Sequence, residues 1–108
     1  MVVIIHNKLV RDNIPKIIND QENQSCEYHI IENDDEYFKY LIKKVDEEMH
    51  EFYNNPSSEE MADVIEVLME ITRLKNIKHD VVEDTRVKKL EEKGGFKKRY
   101  VLEKVYKK

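Results

Sequence analysis

Tryptophan is absent from this sequence, and there are only one Cys, two Gly and two Pro among 108 residues. A single thiol, Cys26, forms no intramolecular disulfide and falls short of any four-ligand zinc pattern, so the chain reads as a reduced, intracellular protein with Cys26 as a small half-buried residue. Scarce Gly and Pro leave few breaks, which favours long helices. Long apolar runs are missing too. The opening MVVII is too short for a membrane span or a secretory core and runs directly into polar residues, so a soluble cytoplasmic protein with no membrane partner is expected. There is no repeat, low-complexity tract or linker, and His6, His29, His50 and His79 lack the spacing of a paired ligand set.

What is present is charge. Hydrophobic residues make up 40% and charged residues 39% of a 13.0 kDa chain. That balance suits amphipathic helices around a narrow core, and the length suits a single domain over residues 1–108. The net charge of -4 hides a division: Glu32 to Glu70 holds thirteen acids against three bases, whereas Lys93 to Lys108 holds seven bases and one acid. An acidic middle and a basic end suit a cation site beside a phosphate site, with plain solvated faces as the alternative. The Lys-rich tail carries Tyr100 and Tyr106, but no RNA-binding fingerprint accompanies them and the rest of the chain is acidic, so no nucleic-acid partner is expected.

Periodicity predicts the elements. Val2 to Ile5 reads as a short strand, and Asp12 as the N-cap of a helix through Pro15, Ile17 and Ile18. Residues 27–32 read as a second strand. Asp34 or Asp35 then caps a long helix whose apolar residues, Phe38, Leu41, Ile42, Val45, Met49 and Phe52, recur at spacings of three and four. Asn54, Asn55 and Pro56 end it, and Ser57 with Glu60 forms a Ser-x-x-Glu capping box for a helix to about Lys75. Apolar residues from Met61 to Leu74 cover more than half the circumference of that helix. Either it is central to the monomer's own core or part of its surface meets another subunit, giving a homodimer or a dimer of dimers. A last helix runs from about His79 or Asp80 to Lys93, stopped at Gly94 and Gly95, and residues 96–106 read as a strand pairing with 27–32 or with the N-terminus.

The chemistry concentrates in residues 47 to 63, EEMHEFYNNPSSEEMAD. Glu48 and Glu51 stand three apart before the break, and Glu60 and Asp63 stand three apart after it, so each pair presents two carboxylates on one helix face. With a rise of about 1.5 Å per residue, Glu51 and Glu60 lie roughly 4 to 5 Å from the turn and Glu48 and Asp63 roughly 9 Å from it, as two facing rungs. Glu47 points elsewhere and reads as a surface charge. Converging carboxylates repel by about 1 kcal/mol per pair in water and about 4 at an effective dielectric of 20, and a cation removes that penalty. All-oxygen ligation favours Mg²⁺ or Mn²⁺, with Ca²⁺ as a non-catalytic occupant.

Three segments, NKLVRDNIP (Asn7 to Pro15), EEMHE with EEMAD (residues 47–51 and 59–63) and KLEEKGGFKKR (Lys89 to Arg99), resemble the MazG-like all-α nucleoside triphosphate pyrophosphohydrolase superfamily, particularly its short phosphoribosyl-ATP pyrophosphohydrolase-like proteins. The resemblance implies a mainly α helical bundle, here with a small accessory β-sheet or hairpin from the termini and residues 27–32. It implies Glu48, Glu51, Glu60 and Asp63 as metal ligands and catalytic residues, and Mg²⁺ or Mn²⁺ as the cofactor. The implied reaction is hydrolysis of the α–β phosphoanhydride of a nucleotide substrate to a nucleoside monophosphate and pyrophosphate, with removal of non-standard nucleotides as one role. Lys8, Arg11, Lys89 and Lys93 stand in the matching motifs as candidates for phosphate binding. At position 93 relatives often carry Arg, so bidentate phosphate binding is not expected from this Lys. The rival expectation is a non-catalytic helical interaction or regulatory module whose acids are merely solvated.

Overall fold

The computed structural model describes residues 1–108 and is helical. Its four helices are α1 (Ile14–Asn19), α2 (Asp34–Asn54), α3 (Ser58–Leu74) and α4 (His79–Lys93). The chain divides into two compact units, Met1–Asn76 and Ile77–Lys108. No helix is long and apolar enough to cross a membrane.

The first unit is organised by α2 and α3. The two helices pack on each other across the short connection 55–57, which makes them an antiparallel hairpin. Local chemistry sets its ends. Asn33 caps α2, its side chain accepting from the Glu36 N–H at 2.9 Å, so the cap falls one residue ahead of Asp34 and two ahead of Asp35, the expected caps. Ser57 caps α3 as expected, its hydroxyl accepting from the Glu60 N–H at 3.2 Å. Asn76 stops α3 with φ 55, a left-handed conformation that Asn tolerates at a helix C-terminus. α1 starts at Ile14 after Asn13, not after Asp12, and Asn13 makes no side-chain cap bond.

Leu41 on α2 and Val64 on α3 are the only buried hydrophobic residues, so the core follows the hairpin seam. Around them Phe38, Val45 and Phe52 of α2 and Val67, Ile71 and Leu74 of α3 are half-buried. The broad apolar surface of α3 therefore splits in two: one face lies in the seam, while Met61, Ile65, Leu68 and Met69 remain exposed.

The expected accessory sheet does not form, and the chain contains no strand. Residues 2–5, 27–30 and 96–106 are exposed and irregular. Their composition favours strands, but a strand is stable only when a neighbour pairs its backbone, and no ladder joins these segments. The second unit contains α4, which ends as expected at Gly94 with φ 82, where its N–H donates to the Leu90 carbonyl at 2.9 Å.

Towards the end of the hairpin away from the turn, a second set of polar contacts ties α2 to α3. The Tyr37 hydroxyl donates to Glu70 Oε2 at 2.5 Å, and Arg73 grips the same carboxylate through Nε and Nη2 at 2.5 and 2.7 Å. Lys75 lies over the Phe38 ring, 4.1 Å from its centroid. The Arg73 hydrogen bonds, joined by that from Tyr37, outweigh partial burial and hold Glu70 at about 2. Burial and the bond to Glu70 raise Tyr37 to about 12.

Because the Glu70 value is depressed, its contribution is present above the usual 4.5 and is lost as pH falls towards 2. Because the Tyr37 value is raised, its contribution is present below 10 and is lost as pH rises through about 12. Tyr37→Phe is thus expected to lower stability at neutral pH by about 1 kcal/mol, or roughly 4 to 8 °C in Tm. Thermal melts followed by circular dichroism should show the difference between variant and wild type narrowing in acid.

Candidate metal centre

Near the turn, the hairpin brings carboxylates from both helices together. Carboxylate oxygens of Glu48 on α2 and of Glu60 and Asp63 on α3 lie within 4.8 Å of one another. The local cause is the register set by the Ser57 cap. Starting α3 at Ser58 places Glu60 and Asp63 on the seam side with Val64 and Val67, while Glu48 lies three residues after Val45 on the seam side of α2. All three acids are half-buried.

Glu51, expected as the fourth ligand, is exposed and lies outside this group of three. Its charge nevertheless reaches the site. Desolvation first, then the charges of Asp63, Glu51, Glu48 and Glu59, raise the Glu60 carboxyl above its ordinary value. Glu60 makes no ion pair, whereas the other two members of the group each have a cationic partner: Lys44 Nζ lies 3.4 Å from Glu48 Oε1 and Arg11 Nη2 lies 2.8 Å from Asp63 Oδ1. The excess negative charge is therefore felt most at Glu60.

Glu47 is outside the cluster, in keeping with its helical position, but it is not a free surface charge. Lys8 and Lys44 both pair with it, at 3.0 and 3.1 Å. Burial pushes its carboxyl up, and the hydrogen bonds from the two lysines more than reverse this, holding it below the usual range. This partnership between Lys8 and Glu47 joins residues 39 apart and has no signature in local spacing. A small pocket of about 120 Å³ beside it, lined by Asn7, Lys8, Leu9, Tyr40, Lys43, Lys44 and Glu47, is far smaller than a nucleotide site.

Of the expected phosphate-binding residues, Lys8 and Arg11 belong to the first unit, and both are engaged with acids of the hairpin. Lys89 and Lys93 are exposed on α4 in the second unit. His50 stays outside the carboxylate group, its ring nitrogen 3.2 Å from the Asn54 side-chain amide. Cys26 is half-buried, with Sγ 3.7 Å from the Pro15 carbonyl.

The donor set fits a hard divalent cation. Octahedral Mg²⁺ at about 2.1 Å places opposite ligand oxygens about 4.2 Å apart, and Ca²⁺ at about 2.4 Å places them about 4.8 Å apart. Three carboxylate oxygens within 4.8 Å of one another are close enough for small side-chain shifts to gather them around one such ion. Glu48, Glu60 and Asp63 are the residues able to hold such an ion.

Comparison with known proteins adds no relative: no protein-family model, no curated protein and no solved structure matches this chain.

Repulsion around Glu60 gives a direct expectation. A carboxyl whose folded value is raised favours the folded state at low pH, and that advantage is lost as pH rises from 4.5 through the raised value. In the presence of a chelator, Glu60→Gln should therefore raise Tm at neutral pH and leave it unchanged well below 4.5. Melting curves of the two proteins across pH check this, and a lower Tm for the variant at neutral pH would show that Glu60 supports the metal-free fold.

Proposed function

We propose that this protein is a divalent-metal-dependent nucleotide pyrophosphohydrolase of the MazG-like type, hydrolysing the α–β phosphoanhydride of a nucleoside triphosphate or related nucleotide. The observation that carries the reading is the convergence of Glu48, Glu60 and Asp63 from two helices across one short turn. The three residues that converge lie in the Glu-Glu-x-x-Glu and Glu-x-x-Asp segments, which carry part of the family resemblance; Glu51 of the first segment does not join them.

When bound, Mg²⁺ or Mn²⁺ offsets the charge of the phosphates and lowers the pKa of water. The protein's own groups do the rest. Glu48, Glu60 and Asp63, with Glu51 beside them, fix the position of positive charge at the turn. Lys8 and Arg11 bring cations to the same hairpin, and Lys89 and Lys93 stand in a motif suited to phosphate oxygens. In the reaction the oxygen of one water bonds to the α-phosphorus, the bond to the bridging oxygen breaks, and pyrophosphate departs as the nucleoside monophosphate forms. Basic side chains favour that departure by stabilising the charge that develops on the leaving group.

The assembly we propose is a homodimer or a dimer of dimers. Two buried residues make a thin core, and Met61, Ile65, Leu68 and Met69 leave an apolar strip of α3 uncovered. A second copy of the same hairpin supplies a self-complementary cover. That strip also favours the second reading, a non-catalytic helical interaction module, in which α3 carries the function and the acids are only solvated.

A panel of nucleotides with Mg²⁺ or Mn²⁺, assayed separately for pyrophosphate and orthophosphate, decides between the readings. Pyrophosphate is expected from at least one nucleotide, and Asp63→Asn should reduce its release by more than about 100-fold without unfolding the protein. Glu66→Gln, an exposed change on the same helix, should leave it intact. Absence of pyrophosphate across the panel would put the interaction module first.

For the assembly, light scattering at micromolar concentration should give a dimer or tetramer for the wild type and a smaller species for Leu68→Glu. A wild type that scatters as a monomer contradicts it.

A further inference from the structure

The irregular segment ahead of α1 is fastened to the hairpin by two ion pairs between residues distant in sequence. Lys8 Nζ meets Glu47 Oε1 at 3.0 Å, and Arg11 Nη2 meets Asp63 Oδ1 at 2.8 Å. The second contact matters most, because Asp63 is also one of the three carboxylates that converge at the turn. The Arg11 guanidinium thus already places positive charge on an oxygen donor of the candidate centre.

Arg11 is poorly anchored for a residue in that position. Its side chain is 57% exposed, it lies outside any helix, and its side chain makes no other ion pair. An exposed pair of this kind is weakly held and easily replaced. A divalent ion carries twice the charge and can be shared by all three carboxylates, whereas Arg11 pairs with Asp63 alone. The Lys8–Glu47 pair lies outside the three-carboxylate group and keeps the segment nearby when Arg11 lets go.

We propose that Arg11 is an exchangeable counter-cation of the carboxylate cluster: it neutralises Asp63 in the metal-free protein, and a divalent cation displaces it on binding. The inference rests on the cation-binding reading of the cluster given above. It makes the availability of Arg11 for a phosphate oxygen conditional on the metal, so that cation binding arms the anion-binding side of the site. An Arg11 that merely positioned Asp63 as a ligand would act in the opposite direction on metal affinity, which makes the two roles separable by sign.

The test is calorimetric titration of Mn²⁺ alone into the full chain, comparing wild type with Arg11→Gln, Arg11→Lys and Lys16→Gln. Lys16 pairs with Asp20 on the surface of α1 and serves as the control for loss of one positive charge elsewhere. Exchange predicts that Arg11→Gln binds Mn²⁺ about two- to fivefold more tightly, since a competing pair of ordinary surface strength is removed. Arg11→Lys and Lys16→Gln should stay within about twofold of wild type, because one keeps the competing charge and the other never touches the cluster. Equal or weaker binding by Arg11→Gln overturns the proposal.

A second readout uses the unmutated protein and survives any folding defect of the variants. In NMR spectra of the wild type, the Arg11 Nε–H signal should shift and exchange faster with water once Mg²⁺ saturates the site, and a signal unchanged by Mg²⁺ overturns exchange. If wild type binds Mn²⁺ and only the Arg11 comparison fails, the cation site stands without the exchange. If neither wild type nor Arg11→Gln binds Mn²⁺, the cation site and the exchange fall together.

Discussion

Packing of α3 on α2 sets like charges against each other, and the rest of the first unit is arranged around that fact. The seam residues that bury Leu41 and Val64 fix the register of the two helices, and the same register holds Glu48, Glu60 and Asp63 within 4.8 Å. Apolar burial favours the arrangement while electrostatics opposes it at one end. The opposition is visible in Glu60, whose carboxyl is raised by desolvation and by four neighbouring acids. It is also visible in Lys44 and Arg11, each set against one of the other two members of the cluster.

The two ends of the hairpin treat their charges differently. At the open end Glu70 is satisfied by Tyr37 and Arg73, is held at about 2, and has no call on an added cation. At the turn, one of the three acids lacks a cationic partner, and the other two are paired with the half-buried Lys44 and the exposed Arg11. A carboxylate site completed by the protein's own cations is structural. A site left short of positive charge is suited to binding one, and this contrast within a single pair of helices is the main physical support for a metal centre at the turn.

Much of this arrangement was legible in the sequence because it rests on local rules. The stripe through Phe38, Leu41 and Val45, the Asn-Asn-Pro break, the Ser57 cap and the Gly94 stop each follow from spacing or backbone preference, and they locate three of the helices to within a residue or two. Helical periodicity alone also puts Glu48, Glu60 and Asp63 on facing sides of the two helices. What local rules could not supply is long-range pairing. Strands were expected at 2–5, 27–32 and 96–106 from composition, yet a strand exists only with a partner, and the chain has none. Likewise Glu47 looked solvated, because nothing near it in sequence announces Lys8, and the pairing of Arg11 with Asp63 spans 52 positions. Glu51 sits one turn from Glu48 as expected but is exposed and lies outside the group of three.

The central claim is that the turn of the α2–α3 hairpin is a divalent-cation site made by Glu48, Glu60 and Asp63. Its most direct measurement is anomalous X-ray diffraction from crystals grown with Mn²⁺. The account predicts an anomalous peak with oxygens of all three carboxylates within about 2.5 Å of it. A peak confined to other acids, or none at the turn at saturating Mn²⁺, would contradict it.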